Sequence, residues 1–303
     1  MTGKSHADLA QSVKQRLLNL RTERVETFNR LLNRYAAERF LFRLAETSHG
    51  ARYILKGALL VSLWSDQPYR STMDVDLLGP IDTSQDQLHS TIGEACRIDV
   101  EPDGMRFDAT SIQIAEIREG QVYQGLRVKL MAYLDVAKIP IQIDVGFGDA
   151  VTPAPVEILV TPLLDMPGPL LMAYPPETVI AEKLEAVVSR GQANSRMKDF
   201  FDLWWISTNF EFEGALLVRA VKATFDRRKT PLLESLPIGL SDEFAHDPVK
   251  RTQWSAFTKK IDRSESPRLD TVVVSIRTFA VPVLDAAASD ALFNKQWRSG
   301  MWI

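Results

Sequence analysis

Cysteine is almost missing from this 303-residue chain: Cys96 is its one thiol, so no disulfide can form within it. Long hydrophobic runs are missing too. No stretch approaches the roughly 18 to 20 apolar residues of a membrane span, and the opening MTGKSHADLAQSVKQRL has no apolar signal core. The expectation is a protein of the reducing cytoplasm with no membrane partner. A basic surplus is also absent. Lys and Arg number 36 against 39 Asp and Glu, for a net charge of −3. Any nucleic-acid surface must therefore be local. Candidate patches are Lys14, Arg16, Arg21 and Arg24; Lys222, Arg227, Arg228 and Lys229; and Lys259, Lys260 and Arg263. For each, the plain alternative is a solvated helix face. The four histidines (His6, His49, His89 and His246) are scattered, which argues against a histidine metal site or a Ser-His-Asp triad. No P-loop, G-x-S-x-G or paired-cysteine motif is present.

Apolar residues make up 45% and charged residues 25%, the balance of a globular protein long enough for two packed domains. Residues 5–47 read as helical in two stretches, with Ser5 a candidate N-cap. Leu9, Val13, Leu17 and Leu20 form one apolar stripe; Phe28, Leu31, Leu32, Tyr35, Phe40 and Leu44 form the next. A short apolar segment, Tyr53-Ile54-Leu55, leads through Lys56-Gly57 into a helix over 58–64. Residues 72–78 read as a strand and 84–95 as a helix. From 98 to 147 the pattern is β, and its last two strands, 127–134 and 139–145, predict an antiparallel hairpin turning near 135–138. Prolines crowd residues 149–175, which read as a loop-rich crossing. Beyond Pro176 the chain reads as helices at 176–190, 196–208, 213–226, 249–260 and 271–290. The expected class is α+β, with amino-terminal helices and the mixed α/β part over 1–160 and a mostly helical domain over 161–303.

Chemistry concentrates at Asp74-Val75-Asp76. Alternate residues of a strand share a side, so both carboxylates face one way while Val75 and Leu77 face the core. Paired carboxylates need water or a cation, and hard oxygen ligands of this kind suit Mg²⁺. Asp144 alternates with Ile143 and Val145 in the same manner. If its strand lies beside 72–78, it becomes a third carboxylate, able to help hold two metals or to take the proton of an attacking hydroxyl. Otherwise it is an ordinary surface aspartate. Lys56-Gly57 opens a helix, where free backbone N–H groups suit phosphate and a glycine permits close approach. Lys183 edges the stripe of Ile180, Leu184, Val187 and Val188, placed to reach a triphosphate or simply to extend into water. Asp199 and Asp202, one helical turn apart, could hold Lys183 or orient a substrate.

Taken as a set, these segments resemble the AbiEii/AbiGii toxin family of nucleotidyltransferases. The runs that carry the resemblance are Ile54-Leu55-Lys56-Gly57-Ala58, Arg70-Ser71-Thr72-Met73-Asp74-Val75-Asp76, Glu182-Lys183-Leu184 and Lys198-Asp199-Phe200-Phe201-Asp202, in the family's order over residues 52–206. Two positions depart from the pattern: Ala58 stands where a second glycine or a serine is usual, and Thr72 stands where serine is common. The resemblance implies a polymerase-β-like nucleotidyltransferase core with a mixed sheet. It implies Asp74, Asp76 and Asp144 as ligands of Mg²⁺ (or Mn²⁺), with Lys56, Gly57, Arg70, Ser71, Thr72, Lys183 and Asp199 around the NTP phosphates and Asp202 in support. It further implies the toxin of a toxin–antitoxin or phage-defence (abortive infection) system. Such toxins transfer nucleotides to an RNA acceptor such as the tRNA 3′ end, and a neighbouring gene encodes the antitoxin. Two other readings are a degenerate nucleotidyltransferase fold kept for binding and a glycosyltransferase gripping a nucleotide-sugar through D-x-D.

Overall fold

The computed structural model describes residues 6–24, 26–64, 74–117, 125–232, 235–261 and 267–303. The chain divides into two compact units, one spanning 1–67, 71–148 and 156–173, the other 68–70, 149–155 and 174–303.

The first unit starts with two helices, α1 (His6–Arg24) and α2 (Phe28–Glu46). The break between them is capped by Thr27, whose hydroxyl accepts the Arg30 N–H. The short β1 (Ile54–Lys56) runs directly into α3 (Gly57–Leu63), and β2 (Asp74–Gly79) follows. Next, α4 (Gln85–Arg97) opens with a capping box built from Ser84 and Gln87. Then come β3 (Met105–Ile117), β4 (Gly125–Leu134) and β5 (Ala137–Phe147). The β4–β5 hairpin appears as expected, closed by a two-residue turn in which Asp135 adopts φ 54°.

The proline-rich stretch departs from its expected loop character. It contains β6 (Val156–Leu159) and β7 (Leu170–Ala173), which pair with each other. Both strands fit between the prolines: Pro153 and Pro155 precede β6, Pro162, Pro167 and Pro169 fill the connection, and Pro175 follows β7. Proline punctuates the stretch without removing a ladder donor. The connection is tied to α2, where the Leu163 N–H donates to Glu38 and Arg39 donates to the Pro167 carbonyl.

The seven strands form one mixed sheet in the order β3-β4-β5-β2-β1-β7-β6. The β2–β5 and β1–β7 pairs are parallel and the others antiparallel. Helices α2 and α4 cover one face, against which Val75, Leu77, Val128, Leu130, Ile141, Ile143 and Val145 are buried. A buried ion pair fixes α2 to the start of β3. Arg43 donates to both oxygens of Asp103, at 2.5 and 2.9 Å. The Asp103 carboxylate also accepts the Met105 N–H, and its carbonyl accepts the Tyr35 hydroxyl.

The second unit is built from α5 (Pro176–Arg190), α6 (Met197–Asn209), α7 (Gly214–Arg228), α8 (Asp242–His246), α9 (Pro248–Thr258) and α10 (Leu269–Ser289). The five expected helices all form. The periodicity missed the five-residue α8 and a small sheet of β8 (Phe212–Glu213), β9 (Gln296–Arg298) and β10 (Met301–Trp302), elements too short to carry a period. The expectation that no stretch reaches membrane-span length needs correction. At 21 residues, α10 is long and apolar enough. It serves as a core helix of this unit, packing on α6 and α7 and burying Val272, Val273, Ile276, Phe279 and Val283. Phe279 sits among Phe212, Trp297 and Trp302, and both indoles donate to backbone carbonyls, of Ser207 and Phe279 respectively.

The Arg43–Asp103 pair yields a stability prediction. Asp103→Ala strands the Arg43 guanidinium in the core and should cost about 3–5 kcal/mol in urea denaturation. A loss below about 1 kcal/mol would show that the pair does not hold α2 to the sheet.

Candidate active site

Strand β2 occupies the middle of the sheet, and its exposure alternates: Asp74 is exposed, Asp76 is partly exposed, and Val75 and Leu77 are buried. Both carboxylates therefore lie on the face away from α2 and α4, as the two-residue period requires. The parallel pairing with β5 sets Asp76 opposite Asp144 and Asp74 opposite Gln142. The condition placed on Asp144, that its strand lie beside 72–78, is met. On the other flank, β1 sets Lys56 opposite Asp76. Beyond β5, β4 sets Arg127 opposite Asp144. One row of side chains thus crosses four strands in the order Lys56, Asp76, Asp144, Arg127.

The row is electrostatically closed. Like charges opposite one another on adjacent strands destabilise a sheet, and here a cation flanks each end of the acidic pair. Arg127 holds Asp144 with a two-pronged grip, Nε to Oδ1 at 2.8 Å and Nη2 to Oδ2 at 2.7 Å. Sequence reasoning overlooked Arg127. The signal available was its place in the hairpin, since a two-residue turn at 135–136 fixes which β4 residue opposes Asp144.

Gly57 has a specific reason to be glycine. Its φ is +72°, in the left-handed region. A Cβ there would lie 2.0 Å from Asp76 Oδ2, 2.6 Å from its Cγ and 2.7 Å from its Cβ. Rotation of the Asp76 side chain cannot relieve the last of these contacts. The backbone bend at the start of α3 is therefore shaped around Asp76. The departure at Ala58 is buried against the core. Arg70, Ser71 and Thr72 lie outside the described residues.

The remaining motifs fall in the second unit. Lys183 on α5 donates to Asp202 Oδ2 at 2.6 Å and to Asp199 Oδ1 at 3.2 Å, both on α6, while Arg196 donates to Asp199 Oδ2 at 2.7 Å. Asp202 is fully buried, and Lys183 is only 11% exposed. Burial works to raise the Asp199 carboxyl, but the ammonium of Lys183 and the guanidinium of Arg196 outweigh it and hold the group below its ordinary range. The expected linkage of Lys183 to Asp199 and Asp202 is present. A second cluster went unread in the sequence. Arg228, expected in a surface basic patch, is buried and receives Asp149, Glu182 and Glu185 at 3.3, 3.0 and 2.8 Å. Burial alone would lower its guanidinium; the three carboxylates raise it well above its ordinary value. Glu182 of the E-K-L run thus ties α5 to α7.

The residues can be weighed against a divalent cation. Among the described residues, no group of three or more His, Cys, Asp or Glu side chains is arranged to hold a metal. Two carboxylates on one strand face are nevertheless the usual protein share for Mg²⁺, whose other ligands are waters and substrate phosphates. Asp74 and Asp76 fit that role, while both oxygens of Asp144 are engaged by Arg127.

Residues 39–288 match the family model described as "Nucleotidyl transferase AbiEii toxin, Type IV TA system". The chain belongs to this family. The expected nucleotidyltransferase fold is present as well. A protein from H. pylori assigned to the nucleotidyltransferases superposes with a TM-score of 0.50 at 14% identity, over 88% of this chain and 97% of its own. JHP933 from Helicobacter pylori aligns at a TM-score of 0.45 and 14% identity, over 83% of this chain and 88% of that one. No curated protein matches in sequence. For this AbiEii-family chain, the family supplies the class, a nucleotidyl transferase toxin of a type IV toxin–antitoxin system.

Two outcomes follow from this geometry. Gly57→Ala should destabilise the protein by at least about 2 kcal/mol, from φ strain and the clash together. In an Asp76→Gly background the cost should fall to the strain alone, about 1–2 kcal/mol. Equal costs in both backgrounds, measured by denaturation, would show that Asp76 does not shape the bend. Lys183→Met should cost about 3–5 kcal/mol at neutral pH by stranding two buried carboxylates. The Asp199 carboxyl is depressed in the fold, so its contribution is present above the ordinary aspartate range and is lost as pH falls through its lowered value. The gap between wild type and variant should therefore narrow in acid, as read from denaturation midpoints across pH.

Proposed function

We propose that this chain is an NTP-dependent toxin that transfers a nucleotidyl group to the 3′ end of an RNA, with tRNA as the acceptor, and that the product of a neighbouring gene is its antitoxin. The observation that carries the reading is the placement of Asp74 and Asp76 together on the central strand, with Gly57 bent around Asp76, in a chain of the AbiEii family.

Asp74 and Asp76 would hold Mg²⁺, or Mn²⁺, which when bound neutralises phosphate charge and fixes the phosphate oxygens. The chain's own share is positioning. The 3′ oxygen of the acceptor forms a bond to the α-phosphorus as the bond from that phosphorus to the β-phosphate oxygen breaks. Pyrophosphate leaves, and the hydroxyl proton passes to water. Holding donor and acceptor in line supplies much of the acceleration, and fixed charges around the phosphates supply most of the rest. Lys56 and Gly57, at the edge of the acidic pair, are the candidate phosphate neighbours within the first unit. Arg70, Ser71 and Thr72 join them through the sequence motif. Lys183 enters as a phosphate contact through its motif, and Asp199 and Asp202 fix its ammonium.

The reading is tested by transfer from labelled NTPs to total RNA with Mg²⁺. Wild type should label RNA, and Asp74→Ala should lose at least about a hundredfold. In cells, expression of the chain alone should arrest growth, Asp74→Ala should not, and co-expression of the neighbouring gene should restore growth. Equal labelling by both proteins would remove Asp74 from the site. No labelling by either, with metal-independent binding of a partner, would favour the degenerate binding fold.

A further inference from the structure

The acidic row contains three carboxylates, yet they are not equivalent. Asp74 and Asp76 share strand β2, and Asp76 rests against the Gly57 backbone. Asp144 faces the opposite flank. Its direct cross-strand partner is Arg127, whose guanidinium meets it side-on through Nε and Nη2 at 2.8 and 2.7 Å, and Gln142 lies 3.5 Å from the same Oδ2. Asp144 is 18% exposed and Arg127 is 37% exposed. A planar fork seated on both oxygens of one carboxylate uses the in-plane directions that a cation would need.

We propose that Asp144 is assigned to Arg127 rather than to the metal. The cation site is a two-carboxylate site, Asp74 and Asp76, and Arg127 is the positioning residue that keeps the third carboxylate out of it. This inference rests on the metal-dependent reading above. Charge balance favours it. Three carboxylates converging on one face would bring the burden of an acidic triad, and a fork across the β4–β5 ladder removes one member without moving a strand. Geometry agrees, because the fork joins directly opposed residues of a ten-pair antiparallel ladder and so is fixed by the hairpin register. The consequence is specific: removing Arg127 releases a third ligand.

The test is Mn²⁺ binding to the purified full chain, followed by the electron paramagnetic resonance of free Mn²⁺, without nucleotide or RNA. Far-ultraviolet circular dichroism verifies the fold of each variant. Asp76→Asn should weaken binding at least tenfold. Asp144→Asn should change it by no more than about threefold, the size of an unbalanced neighbouring charge through partly exposed surface. Arg127→Gln should tighten binding several-fold, and adding Asp144→Asn to Arg127→Gln should return it to the wild-type value. A loss in Asp144→Asn equal to that in Asp76→Asn would overturn the proposal, as would unchanged or weaker binding in Arg127→Gln. If wild type itself binds no Mn²⁺, the metal-dependent reading fails and carries this inference with it; if wild type binds and only the Arg127 and Asp144 arms fail, the inference alone falls.

Discussion

The parallel pairing of β2 with β5 places two aspartates side by side in the centre of a sheet, and the rest of the site answers that repulsion. Asp76 and Asp144 are opposed by register, not by choice of rotamer. Lys56 and Arg127 stand at the outer ends of the row. Gly57 gives up its side chain and takes a left-handed backbone so that Asp76 has somewhere to rest. On the reverse face Val75, Leu77, Ile143 and Val145 make the same four-strand span part of the core. The strand alternation that buries them also forces the acids onto the other side. Packing and chemistry are thus two readings of one period.

The second unit handles buried charge differently. In the first unit, acids and bases alternate across a sheet face that remains partly exposed. In the second, each motif charge is neutralised inside a helical pair: Lys183 by two aspartates of α6, and Arg228 by Asp149 and two glutamates of α5. Such pairs cost desolvation, and their geometry must be good to offset it. Here the hydrogen bonds are short and several acceptors serve one donor. Helix α5 therefore presents Lys183 towards α6 and Glu182 and Glu185 towards α7, so the E-K-L run stitches three helices together as well as carrying its motif.

The architecture was largely legible in the sequence because its signals are long. Helices α5, α6, α7, α9 and α10 carry many turns of apolar periodicity, and Asp74-Val75-Asp76 declares a strand with a polar face. Asp144 was legible from Ile143 and Val145 alone, and its neighbourhood to β2 could be stated only as a condition, because sequence does not order strands. What stayed hidden was pairing. Arg127 reads as one basic residue among many until the hairpin sets it across from Asp144. Arg228 reads as surface charge until the fold buries it. Strands β6 to β10 are two to four residues long, below the length at which alternation can be recognised.

The two-residue turn at Asp135–Val136 has a consequence for how such a sequence can change over generations. The β4–β5 ladder runs unbroken for ten pairs from that turn, from Leu134–Ala137 to Gly125–Gly146. An insertion or deletion of one residue in either arm would slip the register by one place and invert every side chain beyond it. Ile143 would trade places with Asp144, and the hydrophobic layer would be turned inside out along with the charges. Length variation in this hairpin is therefore confined to the turn, and the arms behave as a ruler whose graduations are copied unchanged even where the letters on them drift.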